Sequence, residues 1–145
     1  MLTPSTTLCP SARAEEGALL LGVVAPDQSV KMLTEPEPLT AELAEAIAEI
    51  DAPEQQFRFA NRCVKSGCNQ WHDGRCGVID LVMSFNQHLA EPVTLPACAI
   101  RSQCRWHKQN GPKACTLCPF IITDSSQTEQ ERLVYIDSPA YAPGA

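Results

Sequence analysis

Residues 98–119 read CAIRSQCRWHKQNGPKACTLCP, with four cysteines, one Trp-His pair, four basic residues and no acid. The order of these residues occurs twice in the chain. The downstream copy is Cys98-x5-Cys104-x-Trp106-His107-x7-Cys115, with Cys118 two residues further on. The upstream copy is Cys63-x4-Cys68-x2-Trp71-His72-x3-Cys76. Each has two cysteines, a Trp-His pair, a turn containing glycine and a third cysteine, the mark of an internal repeat. The fold is expected to be organised around these units.

The remainder of the 145 residues suits one domain, and at 44% hydrophobic it can bury a core of its own. The segment MLTPSTTLCPSARAEEG has neither the basic start nor the apolar stretch of a secretory signal, and GALLLGVVAP is too short to span a bilayer. A cytoplasmic location is therefore expected, with no membrane association. Clustered cysteines in a reducing compartment point to metal ligands or redox groups before disulfides.

Charge is unevenly spread over three parts of the single expected domain (1–145). Residues 1–53, an acidic hairpin and helix scaffold, carry −7; the cysteine-rich residues 54–118 carry +4; residues 119–145 carry −3. A basic middle can signal nucleic acid. Thiolate centres offer another cause, since four thiolates around zinc or around a [4Fe–4S] core leave about −2 per site. Arg101, Arg105, Lys108 and Lys113 read as neighbours of such a charge, and no stacking sheet, helix-turn-helix or zinc-finger spacing supports nucleic acid.

Local signals predict a small irregular α+β fold. GALLLGVVA and VKMLTE should form a hairpin across residues 17–35, with PDQS as its turn. EPEPL reads as a proline-broken connector. TAELAEAIAEI should be a helix capped by Thr40, with Leu43, Ile47 and Ile50 on one face. A second helix is expected after Cys76, with an apolar face of Val78, Ile79, Leu81, Val82, Phe85 and Leu89 and with His88 on its surface. Part of 98–109 should be helical, NGP a loop, FIIT and RLVYI short strands, and SPAYAPGA a tail.

The second unit holds four thiols in one contiguous piece: Cys98, Cys104, Cys115 and Cys118. The Cys-x2-Cys pair brings two sulfurs to the same side of a tight turn, and four thiolates suit tetrahedral zinc or a cubane cluster. The first unit has three, Cys63, Cys68 and Cys76, and the remote Cys9 completes its set; crossed assignments stay open. Zinc modules favour two short knuckles, whereas the x4, x5, x7 and x10 gaps here are wider, so two [4Fe–4S] clusters are expected, with zinc as the alternative. Trp71 and Trp106 are expected to line and shield the clusters. His72 and His107 are candidates for a ligand or a hydrogen-bond donor to a cluster sulfur. No P-loop, GxGxxG, HExxH or GxSxG template is present, and the radical-SAM spacing is absent.

CVKSGCNQWHDGRCGVI, residues 63–79, resembles a Cys-x4-Cys-x2-Trp-x4-Cys motif of poorly characterised microbial Cys-rich proteins, with 98–118 as a looser second copy. That resemblance implies no activity. Cys9 and Cys118 each precede proline, which resembles the ligand ends of bacterial ferredoxins, though the Cys-x2-Cys-x2-Cys-x3-Cys-Pro run is missing and the ferredoxin fold is not implied. The functional expectation is electron transfer, or a redox accessory role beside a partner enzyme, with a protein redox partner. The rivals are a zinc-stapled interaction module and a nucleic-acid-binding redox-sensing regulator.

Overall fold

The computed structural model describes residues 5–68, 70–124 and 133–136. It is a mixed α+β fold. The first strand is Leu8–Cys9 (β1), followed by Leu19–Val24 (β2), Val30–Pro38 (β3) and Phe57–Arg62 (β4). These form one antiparallel sheet in the order β1-β4-β2-β3. The expected hairpin is present. Its turn is closed by the Ala25 N–H donating to the Ser29 carbonyl at 2.8 Å. Asp27 braces it by accepting from the N–H and hydroxyl of Ser29 at 3.0 and 2.6 Å.

Strand β3 runs on through Glu35-Pro36-Glu37-Pro38, where the sequence suggested a broken connector. It is the edge of the sheet, where a proline's missing N–H can face outwards without removing a ladder bond. Helix Ala41–Ala48 (α1) follows, and Thr40 Oγ1 accepts the Leu43 N–H at 3.2 Å as the cap.

Alternation along the strands splits the core in two. Leu20, Phe57 and Phe59 turn to one face, against Ala18, Leu39 and the Leu43–Ile47 stripe of α1. Leu19, Leu21 and Ala60 turn to the other face, which the cysteine-rich half covers. That half contains the hairpin Trp71–His72 (β5) and Arg75–Cys76 (β6), then helices Gly77–Ser84 (α2), Arg105–Asn110 (α3) and Pro112–Leu117 (α4). Strands Ile121–Asp124 (β7) and Leu133–Ile136 (β8) pair antiparallel, as FIIT and RLVYI suggested, whereas the SPAYAPGA tail lies outside the described residues. The result is three layers: helix α1, the sheet, and the cysteine-rich layer.

Two expectations need correction. NGP is not a loop: Gly111 alone, at φ +76°, ends α3, and Pro112 opens α4 in the first-turn position that tolerates its missing N–H. Helix α2 stops at Ser84, because the buried Asn86 side chain donates to the Val82 carbonyl at 2.8 Å and draws the chain out of the helix. The apolar face is consequently narrower than six residues. Val78, Ile79 and Val82 are buried, while Leu81 and Phe85 are 48% and 66% exposed, and His88 lies beyond the helix end.

This division predicts unequal costs on one helix. Ile79→Ala, at a fully buried position, should destabilise the fold by about 2–5 kcal/mol. Leu81→Ala should cost less than about 1 kcal/mol. Urea denaturation of both variants checks this, and similar costs would contradict the observed face of α2.

Candidate functional site

The first group of cysteines is assembled by strand pairing. In the sheet, Cys9 stands opposite Asn61, and the Cys63 N–H donates to the Thr7 carbonyl at 2.9 Å. Cys9 is thereby brought beside Cys63 from far away in sequence. A single 3-10 turn, Lys65–Gly67, delivers Cys68. The β5–β6 hairpin then returns the chain so that Cys76 stands at the start of α2. Glycine is required at the next position: a Cβ on Gly77 would lie 2.8 Å from the Gln70 carbonyl oxygen, which accepts the Gly77 N–H at 2.6 Å.

Cys9, Cys63, Cys68 and Cys76 line one cavity of about 410 Å³, together with Trp71 and Arg105. Backbone N–H groups are aimed at two of the sulfurs, Ser11 to Cys9 Sγ and Gln70 to Cys68 Sγ, each at 3.4 Å. The Arg105 guanidinium lies 5.1 Å from the Trp71 ring centroid. Its Nε is buried without a hydrogen-bond partner, so a donor is left available at this cavity.

The second group is built from helix ends. The 3-10 turn Arg101–Gln103 delivers Cys104, which precedes α3, and α4 carries Cys115 and ends at Cys118. Cys98, Cys104, Cys115 and Cys118 line a second cavity, of about 20 Å³, with Trp106, His107 and Arg101 on its wall. Cys104 and Cys118 are 6% and 9% exposed. Arg101 Nε donates to Cys115 Sγ at 3.4 Å. Arg58, 5% exposed, donates through Nη1 to Cys118 Sγ at 2.9 Å and through Nη2 to the carbonyls of Cys118 and Ile121. It also lies 5.6 Å from the Trp106 ring centroid. No carboxylate among the described residues pairs with it.

The two groups share a wall. Leu8, next to Cys9, forms a parallel bridge with Cys104. From α3, Gln109 holds Cys76 at both backbone atoms: its Oε1 accepts the Cys76 N–H at 2.8 Å and its Nε2 donates to the Cys76 carbonyl at 3.0 Å. Trp106, 1% exposed, belongs to the same core as Cys76, Cys98, Cys104 and Cys118. Its indole N–H makes no hydrogen bond but favours the charged form of Cys76.

Burial acts on three of the thiols. It pushes Cys104 up to about 12 and raises Cys76 and Cys98, against partial relief from backbone N–H groups at the starts of α3 and α2. All eight cysteines are free thiols. Among the described residues no three Cys, His, Asp or Glu side chains stand close enough to share one metal ion.

The repeat is structural only in its first half. In both units a cysteine, a 3-10 turn and a second cysteine succeed one another. The Trp-His pair then falls in strand β5 in one copy and in helix α3 in the other. His72 is exposed, while His107 is partly buried at the second cavity. Of the four basic residues singled out downstream, Arg101 and Arg105 reach the cysteine cavities. Lys108 donates to Thr7 Oγ1 at 3.1 Å, and Lys113 faces Glu91 at 3.8 Å. Sequence reasoning missed Arg58. The one signal for it was a base between Phe57 and Phe59, on the strand face it shares with Ala60.

Two outcomes are expected for the metal-free, reduced chain. Arg58→Met strips donors from a sulfur and two carbonyls and should cost about 2–4 kcal/mol. Arg58→Lys, lacking the planar fork, should recover at most about half of that. An unchanged urea midpoint in Arg58→Met would refute the role given to this guanidinium. Secondly, Arg75 beside Asp80, with Asn110 and Gln109 also donating, holds that carboxyl at about 2. A lowered carboxyl contributes stability above its unfolded pKa of about 3.9 and loses it as pH falls towards 2. Asp80 is largely solvent-accessible, so the contribution should be below about 1 kcal/mol. Asp80→Asn should lower stability near neutral pH and flatten its acid decline; identical pH profiles would contradict this.

Comparison with known protein families, with curated proteins and with solved structures finds no match to this chain. The likeness at residues 63–79 therefore rests on that short motif alone.

Proposed function

We propose that the protein carries two [4Fe–4S] clusters, one held by Cys9, Cys63, Cys68 and Cys76 and the other by Cys98, Cys104, Cys115 and Cys118. It would serve one-electron transfer, or act as a redox accessory to a partner enzyme. The observation that carries this reading is the convergence of four cysteines on each of two cavities, with N–H donors aimed at the sulfurs. Donors of this kind favour thiolate over thiol and tune the potential of a bound cluster.

Spacing favours a polynuclear group over zinc. Zinc modules favour two short Cys-x2-Cys knuckles, whereas only one such pair, Cys115 and Cys118, occurs among the eight cysteines. A cluster spreads its irons and accepts sulfurs that stand further apart. The first cavity is roomy. The second, at about 20 Å³, has space for about one water, so its walls must part on loading. Residues 90–98, which lead into Cys98, contain neither helix nor strand and are the segment best suited to move. With four protein ligands per cluster no iron is left open to substrate, which suits electron exchange rather than turnover.

Protein prepared without oxygen should be brown and contain about eight irons and eight sulfides per chain. Cys9→Ala should lose about half of both and keep the second centre. A colourless protein with about two zinc ions would replace this reading with a zinc-stapled module, and undiminished iron in Cys9→Ala would overturn the ligand sets.

A further inference from the structure

We propose that the first cysteine cavity is the port for electron exchange and is shaped to receive the acidic face of a one-electron redox protein. The inference rests on the iron–sulfur reading and adds a surface and a class of partner to it.

Access separates the two groups. In the second group Cys104 and Cys118 are nearly enclosed and Cys98 and Cys115 partly exposed, around about 20 Å³, whereas Cys9, Cys63, Cys68 and Cys76 are all partly exposed around about 410 Å³. Charge marks the same place. The chain carries −6 overall, yet Arg13, Arg62 and Arg105 line this cavity against Glu15, the one acid among its described lining residues. Exposed Lys65 adjoins it, next to Val64, which lines it and is 58% exposed. Arg13, Arg62, Arg105 and Lys65 against Glu15 leave +3 here, and about +1 once the roughly −2 of an oxidised four-thiolate cluster is counted; on a chain of −6 such a spot steers an acidic partner and lets the remaining surface repel it. Val64 supplies an apolar contact within a charged rim.

The surface fits protein better than nucleic acid. Single strands are held by a basic track with exposed aromatic faces for stacking. Here the aromatic is Trp71, half-buried with Arg105 already over its ring. The exchange itself is balanced. One electron crosses from the donor, which is oxidised by one, to the acceptor, which is reduced by one, with no bond or proton change.

Small redox reagents of opposite charge test the field directly. Protein with its iron content measured is reduced and then reoxidised in a stopped-flow instrument, by anionic iron(III)–EDTA or by cationic hexaamminecobalt(III), across a range of salt concentration. The anionic reagent should slow as salt rises and the cationic one should not. Arg62→Glu with Lys65→Glu should slow the anionic reagent several-fold at low salt, with iron content and circular dichroism unchanged. The opposite salt dependence, set by the net charge of −6, would overturn the proposal, as would indifference to the double variant. Salt-sensitive binding of a single-stranded oligonucleotide, lost in the same variant, would overturn it in favour of nucleic acid. A chain without iron would instead bring down the cluster reading itself.

Discussion

A buried guanidinium is among the most expensive things a small protein can hold, and the cysteine-rich layer is fastened to the sheet through one that meets no carboxylate among the described residues. Arg58 projects from β4, one of the two internal strands of the sheet, and its donors end on the sulfur and carbonyl of Cys118 and the carbonyl of Ile121. The Trp106 ring adds a cation–π contact, worth about 0.5–2 kcal/mol when shielded from water. One side chain thus fixes the end of α4, the start of β7 and the main aromatic of the layer against the central strand. An apolar replacement would take a donor from the Cys118 sulfur and from the carbonyls of Cys118 and Ile121.

Helix α3 extends that constraint across both cavities. Cys104, just before it, belongs to the second group, while Arg105 and Gln109 act on the first and Trp106 is buried between cysteines of both. Together with the Leu8–Cys104 bridge, this makes the two groups neighbours in one rigid layer.

The features that could be read in the sequence were local. The hairpin, the Thr40 cap and the helix after Cys76 are each dictated by residues a few positions apart. The pairing of β1 with β4 is not local, and only the leftover eighth cysteine hinted that Cys9 belonged with Cys63. Arg58 was hidden for a different reason. A base in a strand ordinarily faces water, and its burial depends on a sulfur and carbonyls some sixty residues further along the chain. The Trp-His pair misled in the opposite sense. Identical dipeptides sit in a strand and in a helix, because the second cysteine leads into a glycine turn in one copy and into uninterrupted helix formers in the other.

The basic middle of the chain can now be divided. Arg58 and Arg101 donate to sulfur, and Arg105 carries an unpartnered buried donor beside the first group. The charges of Arg58 and Arg101 are committed inwards. Burial favours the thiol over the thiolate at Cys76, Cys98 and Cys104, which line the same two cavities, and the buried Arg58 has no carboxylate counter-charge among the described residues. Under the proposed function this imbalance resolves. Metal binding displaces the thiol protons, and four thiolates around a cluster leave a net negative centre. The buried guanidinium then has its counter-charge, and the orphaned Arg105 donor has an acceptor within its own cavity. Arg58, Arg101 and Arg105 would then form the neutralising shell of the proposed centres, which is the physical reason to regard them as built for an anionic group.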